Sequence, residues 1–203
     1  MPQSAIGPGM AVFSRYAAVL ESDDSPMTVK AALQLINREL DEYLGGIQGE
    51  SVFYDTSEML AGEALQSSVM ADASSLDTGR YFYQLEITEH RGAETETSVV
   101  TGYREIFNRS ESEYGARWWI DDLDQLIEYE DGVSLIRGNA TAGWFAEDGA
   151  GGYHTPEGSF TTLVKNGDGT FTLSDQYGNR DEFNAQGLLV ARVDSNGNSK
   201  QYA

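Results

Sequence analysis

Four turns near the end of the chain keep a rhythm. Asp168-Gly169, Tyr177-Gly178, Gln186-Gly187 and Asn196-Gly197 put their glycines 9, 9 and 10 residues apart. That spacing leaves strands of about five or six residues between tight turns, and glycine supplies the positive φ the turns need. The product is an antiparallel meander of repeating hairpins. The same texture holds from Ser51 onward. SVFYD, ALQSSVMAD, RYFYQLEITEH, TSVVTGYREIFN, QLIEYE, VSLIRG, AGWFAE and FTTLVKN are short runs rich in Val, Ile, Thr and aromatics, separated by Gly, Asp, Asn and Ser. An all-β chain is expected.

Two segments are less direct. Residues 1–27 hold three of the four prolines (Pro2, Pro8, Pro26) and the polar run ESDDSP, and read as a linker or lead-in. Residues 28–44, TVKAALQLINRELDEYL, support two incompatible readings. Val29, Ala32, Leu33, Ile36, Leu40, Tyr43 and Leu44 fall at helical spacing, with Ser25-Pro26 as a start and Gly45-Gly46 as a stop. Val29, Ala31, Leu33 and Leu35 also alternate as a half-buried strand would. Local pattern favours the helix.

Charge and cysteine exclude several functions. The chain has 203 residues, 13 Lys and Arg against 33 Asp and Glu, a formal charge of -20 and no cysteine. Without cysteine there is no disulfide scaffold, thiol catalysis or cysteine-ligated metal. The acidity is spread evenly over both halves, so no basic stripe exists to meet nucleic acid or an anionic membrane. No apolar run approaches the roughly 20 residues of a spanning helix, and the opening residues make a poor signal peptide.

The segment Asn166 to Tyr202 resembles the first units of RHS/YD-repeat proteins. Its framework is Gly178, Phe183, Asn184, Gly187, Leu189, Asp194, Gly197 and Asn198. Upstream, NRSESEYGARWWIDDLDQLIEYEDGVSLIRG is similar to the lead-in of the same family, with Arg117 standing before Trp118 where the family usually has glycine. Further back, Tyr54-Asp55-Thr56-Ser57 and Leu76 to Tyr81 resemble the β-sandwich module that precedes some bacterial RHS regions. In such modules the strand before the Tyr-Asp piece is often of the Leu-x-Leu kind. The resemblance therefore makes AALQL a strand, with NRELDEYLGG an insertion after it.

What the resemblance implies is an Ig-like β-sandwich module over 28–108 followed by an RHS/YD-type entry region over 109–203. Phe183, Leu189, Val193 and Tyr202 form the expected inward set of the meander, because a lone hairpin buries its aromatic face only against stacked neighbours. In the family many such units wind into a shell that encloses a toxin or stands at the cell surface. The expected function is thus a non-catalytic structural part of a secreted or surface-displayed shell or adhesin. Its implied partners are downstream repeats of a longer parent, since the chain stops at Ala203 where a next unit would begin, and its own kind through an open sheet edge.

No catalytic set stands out. His90 and His154 lie 64 residues apart in what reads as turn-forming sequence, and Asp121, Asp122 and Asp124 supply a carboxylate pair that coincidence explains among 33 acids. The chain is expected not to be an enzyme. Asp194, Asn196 and Asn198 offer oxygens around Gly197 as a calcium loop does, but the same residues make an ordinary tight turn. Trp118, Trp119 and Trp144 are candidates for stacking a sugar ring, against the commoner fate of core tryptophans. The alternative function is therefore a carbohydrate- or protein-binding β-module, with calcium as its only candidate cofactor.

Overall fold

In the computed structural model, residues 10–19, 28–37, 42–48, 51–59, 64–91 and 93–202 are described. Every regular element among them is a β-strand, and every pairing is antiparallel. The chain divides into two units, Met1–Ser110 and Glu111–Ala203. Sequence had placed the change two residues earlier, after 108.

The first unit holds β1 (Met10–Val19), β2 (Thr28–Asn37), β3 (Glu42–Gln48), β4 (Val52–Asp55), β5 (Ala64–Asp72), β6 (Gly79–Arg91) and β7 (Glu94–Ile106). One sheet runs β3-β2-β6-β7, with β4 also on β2, and β1 and β5 form a separate ribbon. A core of Leu65, Val69, Ala73, Leu76, Leu85, Ile87 and Ile106 joins β5 to β6 and β7. Residues 28–37 are strand, which settles the helical alternative against local pattern. β2 pairs with β6 along one edge and with β3 and β4 along the other. A strand with backbone partners on both sides gains ladder bonds that an isolated helical stripe cannot match.

Three further expectations change here. The lead-in contains β1, which pairs from Met10↔Asp72 to Val19↔Ala64; its partner lies 45 to 62 residues away, beyond any local signal. Residues 1–9 and 20–27 of that segment, with all three of its prolines, lie outside the described residues. The supposed insertion supplies β3, where Glu42 and Tyr43 pair with Asn37 and Ile36. His90 sits within β6 opposite Thr95, in strand rather than turn.

The second unit holds β8 (Gln125–Tyr129), β9 (Gly132–Ile136), β10 (Ala142–Ala146), β11 (Thr161–Lys165), β12 (Phe171–Asp175), β13 (Arg180–Phe183), β14 (Leu189–Val193) and β15 (Ser199–Gln201). β8 to β10 form a three-stranded sheet, and β11 to β15 a five-stranded meander in chain order. Leu126, Val133, Leu135 and Phe145 of the smaller sheet pack on Leu163, Phe171, Leu173, Phe183 and Leu189 of the larger. At about 25 cal/mol per Å² of apolar surface removed from water, these nine side chains dominate the unit's cohesion.

One irregularity decides which residues face that core. Glu182 pairs with Ala191 but Phe183 pairs with Leu189, so Val190 is an extra residue bulged out of β14. This is the tenth residue of the 10-residue interval. Because side chains alternate along a strand, one extra residue exchanges the faces of everything beyond it. Leu189 keeps the core side, whereas Ala191 and Val193 move to the opposite face and Arg192 takes the inner one. Phe183 and Leu189 thus lie in the core and Tyr202 packs against it, but Val193, though buried, belongs to the other face.

Candidate functional site at the Arg192 cluster and the repeated turns

The four glycine turns are copies of one device. In each, an Asn or Asp at the first position donates its backbone N–H to the carbonyl four residues on and accepts from the glycine N–H three residues on. The pairs are Asn166 with Thr170 and Gly169, Asp175 with Asn179 and Gly178, Asn184 with Leu188 and Gly187, and Asp194 with Asn198 and Gly197. The glycines sit at φ 86, 88, 77 and 85°, where a Cβ is disfavoured. In the last three turns the first residue's Oδ1 also accepts two backbone N–H groups within the turn, at 2.8–3.0 Å.

This geometry decides what Asp194 does. Its Oδ1 takes the N–H groups of Asn196 and Asn198, and its Oδ2 takes the Asn198 amide at 2.7 Å. Those bonds, the Asn198 amide foremost, hold its carboxyl below the usual carboxylate range. Asp175 is held the same way by Asn179. The residues singled out as calcium ligands are brought together, but both carboxylate oxygens of Asp194 are already engaged in shaping the turn. Among the described residues no group of three or more His, Asp or Glu is placed to hold a metal ion.

Beside this turn lies an open depression of about 440 Å³ lined by Asn179, Asp181, Arg192, Val193, Asp194, Asn198, Ser199 and Lys200. Its floor is a row of directly opposed residues, Asp181 on β13, Arg192 on β14 and Lys200 on β15. Arg192 is the hub. Its guanidinium donates to Asp122, reaches Asp124 at 3.0 Å and lies 3.3 Å from Asp181. Asp124 is buried, and its other contacts are Arg137 at 3.0 Å and the N–H of Gly138 at 3.0 Å. Asp122 receives Lys200 and, at 2.9 Å, the Tyr202 hydroxyl.

The electrostatics follow from these contacts. Lys200 first and Tyr202 second hold the Asp122 carboxyl below the usual range. Burial pushes Asp181 up, with Arg192 opposing it incompletely. Burial works against the Arg192 charge, but Asp181 and Asp124 outweigh it and raise its pKa. Chemically this is a clasp: cations and backbone donors occupy the oxygens of Asp122 and Asp124 and fix the residues before β8 to β14 and β15. A carboxylate pair for acid–base work needs one member free to carry a proton to substrate. Asp122 and Asp124 instead share one guanidinium.

The tryptophans divide. Trp119 donates its indole N–H to the Leu123 carbonyl at 2.9 Å and meets Tyr114 edge to face at 5.7 Å. Trp144 on β10 lies 5.9 Å from the Tyr129 ring, and a Cβ on Gly132 would approach its ring to 2.6 Å, so it covers that glycine. Trp118 is 72% exposed. Just before it, Arg117 adopts φ 70°, the left-handed conformation for which glycine is suited. His154 is exposed beyond β10, and His90 belongs to the first unit.

Sequence reasoning missed Arg192, Asp181, Lys200 and Arg137. Asp122 was weighed only as an acid, and its partners lie 70 to 80 residues away. The ten-residue interval was the one available signal, since an extra residue in a strand implies a bulge. Compared with known proteins, the chain matches no family model, no curated protein and no solved structure.

Proposed function

We propose that this chain is a non-catalytic structural module of a secreted or surface-displayed assembly of the RHS/YD type, in which its meander is continued by further hairpins. The observation that carries the reading is the fourfold turn, whose backbone bonding repeats position for position along β11 to β15. A device copied at 9- and 10-residue intervals builds a sheet that lengthens by whole hairpins, each burying what the previous one leaves open. The left-handed Arg117, at the position where the family usually has glycine, supports the same reading. β15 ends the sheet among the described residues, with its outer edge available to a next strand.

Appending one and then two further hairpin units after Tyr202 tests this. Urea midpoints that rise with each unit, with dispersed amide signals for the added residues, are the expected result. An added tail without ordered signals, leaving the midpoint unchanged, overturns it. The exposed Trp118 favours a second reading, a carbohydrate-binding surface. Quenching of its fluorescence by a panel of oligosaccharides, lost in Trp118→Ala, checks that alternative.

A further inference from the structure

The hairpin of β6 and β7 poses a different problem from the meander. Each strand is 13 residues long, and their ladder runs without a bulge from Gly79↔Ile106 to Arg91↔Glu94. β7 is the last strand of its sheet, and among the described residues no strand pairs with its outer edge. Residues 93–101 are exposed on both faces of the strand, with Val99 at 52% and Val100 at 40%. About half of its backbone N–H and C=O groups therefore point away from β6 toward solvent.

Proteins normally blunt such an edge with a proline, a lysine, a bulge or brevity. β7 has none of these; its charged residues, Glu94, Glu96, Arg104 and Glu105, lie toward its two ends. Its centre, Thr97-Ser98-Val99-Val100-Thr101-Gly102-Tyr103, is uncharged and mostly β-branched or aromatic, the composition that favours strand pairing. The end of the strand near Gly102 is packed against β6. Tyr83 lies across Gly102, where a Cβ would come within 2.8 Å of its ring, and Tyr103 packs edge to face on Phe82 at 5.3 Å under Arg80.

The charge pattern identifies the partner. A two-fold axis at Val100 would pair all thirteen residues of β7 with those of a second β7 running antiparallel. Val100 then meets itself, Val99 meets Thr101, Ser98 meets Gly102 and Thr97 meets Tyr103. Arg104 falls opposite Glu96, twice by symmetry, and no like charges are directly opposed. Moving the axis by half a residue forms no ladder, because outward-pointing backbone groups would then meet inward-pointing ones. Moving it to Val99 itself keeps an opposite-charge pair, Glu94 with Arg104, but leaves Glu105 and Ile106 without partners. Opposed residues on one face stabilise or destabilise a sheet according to this matching.

We infer that β7 is a homodimerisation edge, at which a second copy of this chain adds its own β7 antiparallel about Val100. The two sheets become one continuous sheet, and the symmetric interface uses the same strand on both partners. This edge lies in the first unit and is independent of whether the meander in the second unit is extended.

The test uses the full chain at an ionic strength where the screening length is about 8 Å, so that its net charge of -20 does not keep copies apart. Sedimentation and light scattering over a concentration series are expected to give a monomer–dimer equilibrium. Glu96→Arg and Arg104→Glu singly place like charges opposite each other at two sites, and each raises the dissociation constant about tenfold. The double variant restores wild-type affinity. Because the chain has no cysteine, Val100→Cys gives one thiol per chain. Directly opposed residues lie within disulfide range, so it forms a covalent dimer on oxidation, whereas Thr95→Cys, opposite Glu105, does not. A monomer at every concentration overturns the inference, and so does a dimer indifferent to both single charge reversals.

Discussion

Arg192 holds three acids that would otherwise repel one another. Removing its charge leaves Asp124 buried and Asp122 and Asp181 beside it without their shared cation. Breaking one side of such a pair costs more than the pair itself contributes, because Asp181 loses its cation while Asp124 keeps only Arg137 and Asp122 only Lys200. Arg192→Met is therefore expected to destabilise the second unit by about 3 kcal/mol in urea unfolding. Arg192→Lys recovers little, since an ammonium cannot serve three carboxylates at once. Asp181 and Asp122 respond to pH in opposite senses. Burial raises the Asp181 carboxyl, so its contribution is fully present below its unfolded pKa and is lost as pH rises through its folded value. Asp181→Asn should therefore be at least as stable as the parent at neutral pH and gain less on mild acidification. Lys200 and Tyr202 lower the Asp122 carboxyl, so its stabilisation is present above the unfolded pKa and is lost as pH falls through the folded one. Unfolding midpoints of Asp181→Asn and Asp122→Asn across the acid range check both slopes.

The turns and the bulge are what bring that cluster together. Gly187 and Gly197 have similar left-handed φ values of 77 and 85°, yet they sit in different surroundings. A Cβ on Gly187 would come within 2.1 Å of the Leu126 carbonyl oxygen, whereas Gly197 has nothing within 4 Å. That carbonyl belongs to a joint between the two sheets, where the Leu126 N–H donates to the Gly187 carbonyl at 2.8 Å. Gly197→Ala is expected to cost about 1 kcal/mol, the conformational penalty alone. Gly187→Ala is expected to cost about 3 kcal/mol, because the two sheets must also separate locally. Thermal unfolding of the two variants side by side checks the difference. Val190 has no such contact to announce it, but its carbonyl accepts the Tyr202 N–H at 2.9 Å, so the bulge also anchors the residue beyond β15.

Across the chain, the charge of -20 is a load on both units. Like charges spread over a surface repel in the compact state, and added salt screens them. Sodium chloride is expected to raise the unfolding midpoint of the parent chain, read by circular dichroism in a concentration series. Turn positions and strand texture were legible in the sequence, because each depends on neighbours a few residues apart. β1 was not, since its composition reads as a lead-in and its partner is β5. β2 was ambiguous for a related reason: its apolar residues satisfy both periods, and only the strands on either side of it choose between them.

By itself, the sequence determined that this chain would be built of antiparallel strands, and where the last four hairpins would turn. Glycine, asparagine and aspartate impose those turns through their own backbone preferences and side-chain oxygens, without help from the rest of the molecule. Tertiary structure alone decided that Arg192 rather than Val193 faces inward, that Asp122 and Asp124 serve as anchors, and that Trp119 and Trp144 are packed while Trp118 is exposed. Facing is a property of register. One bulged residue, placed by pairing across a sheet, reverses it for every residue that follows.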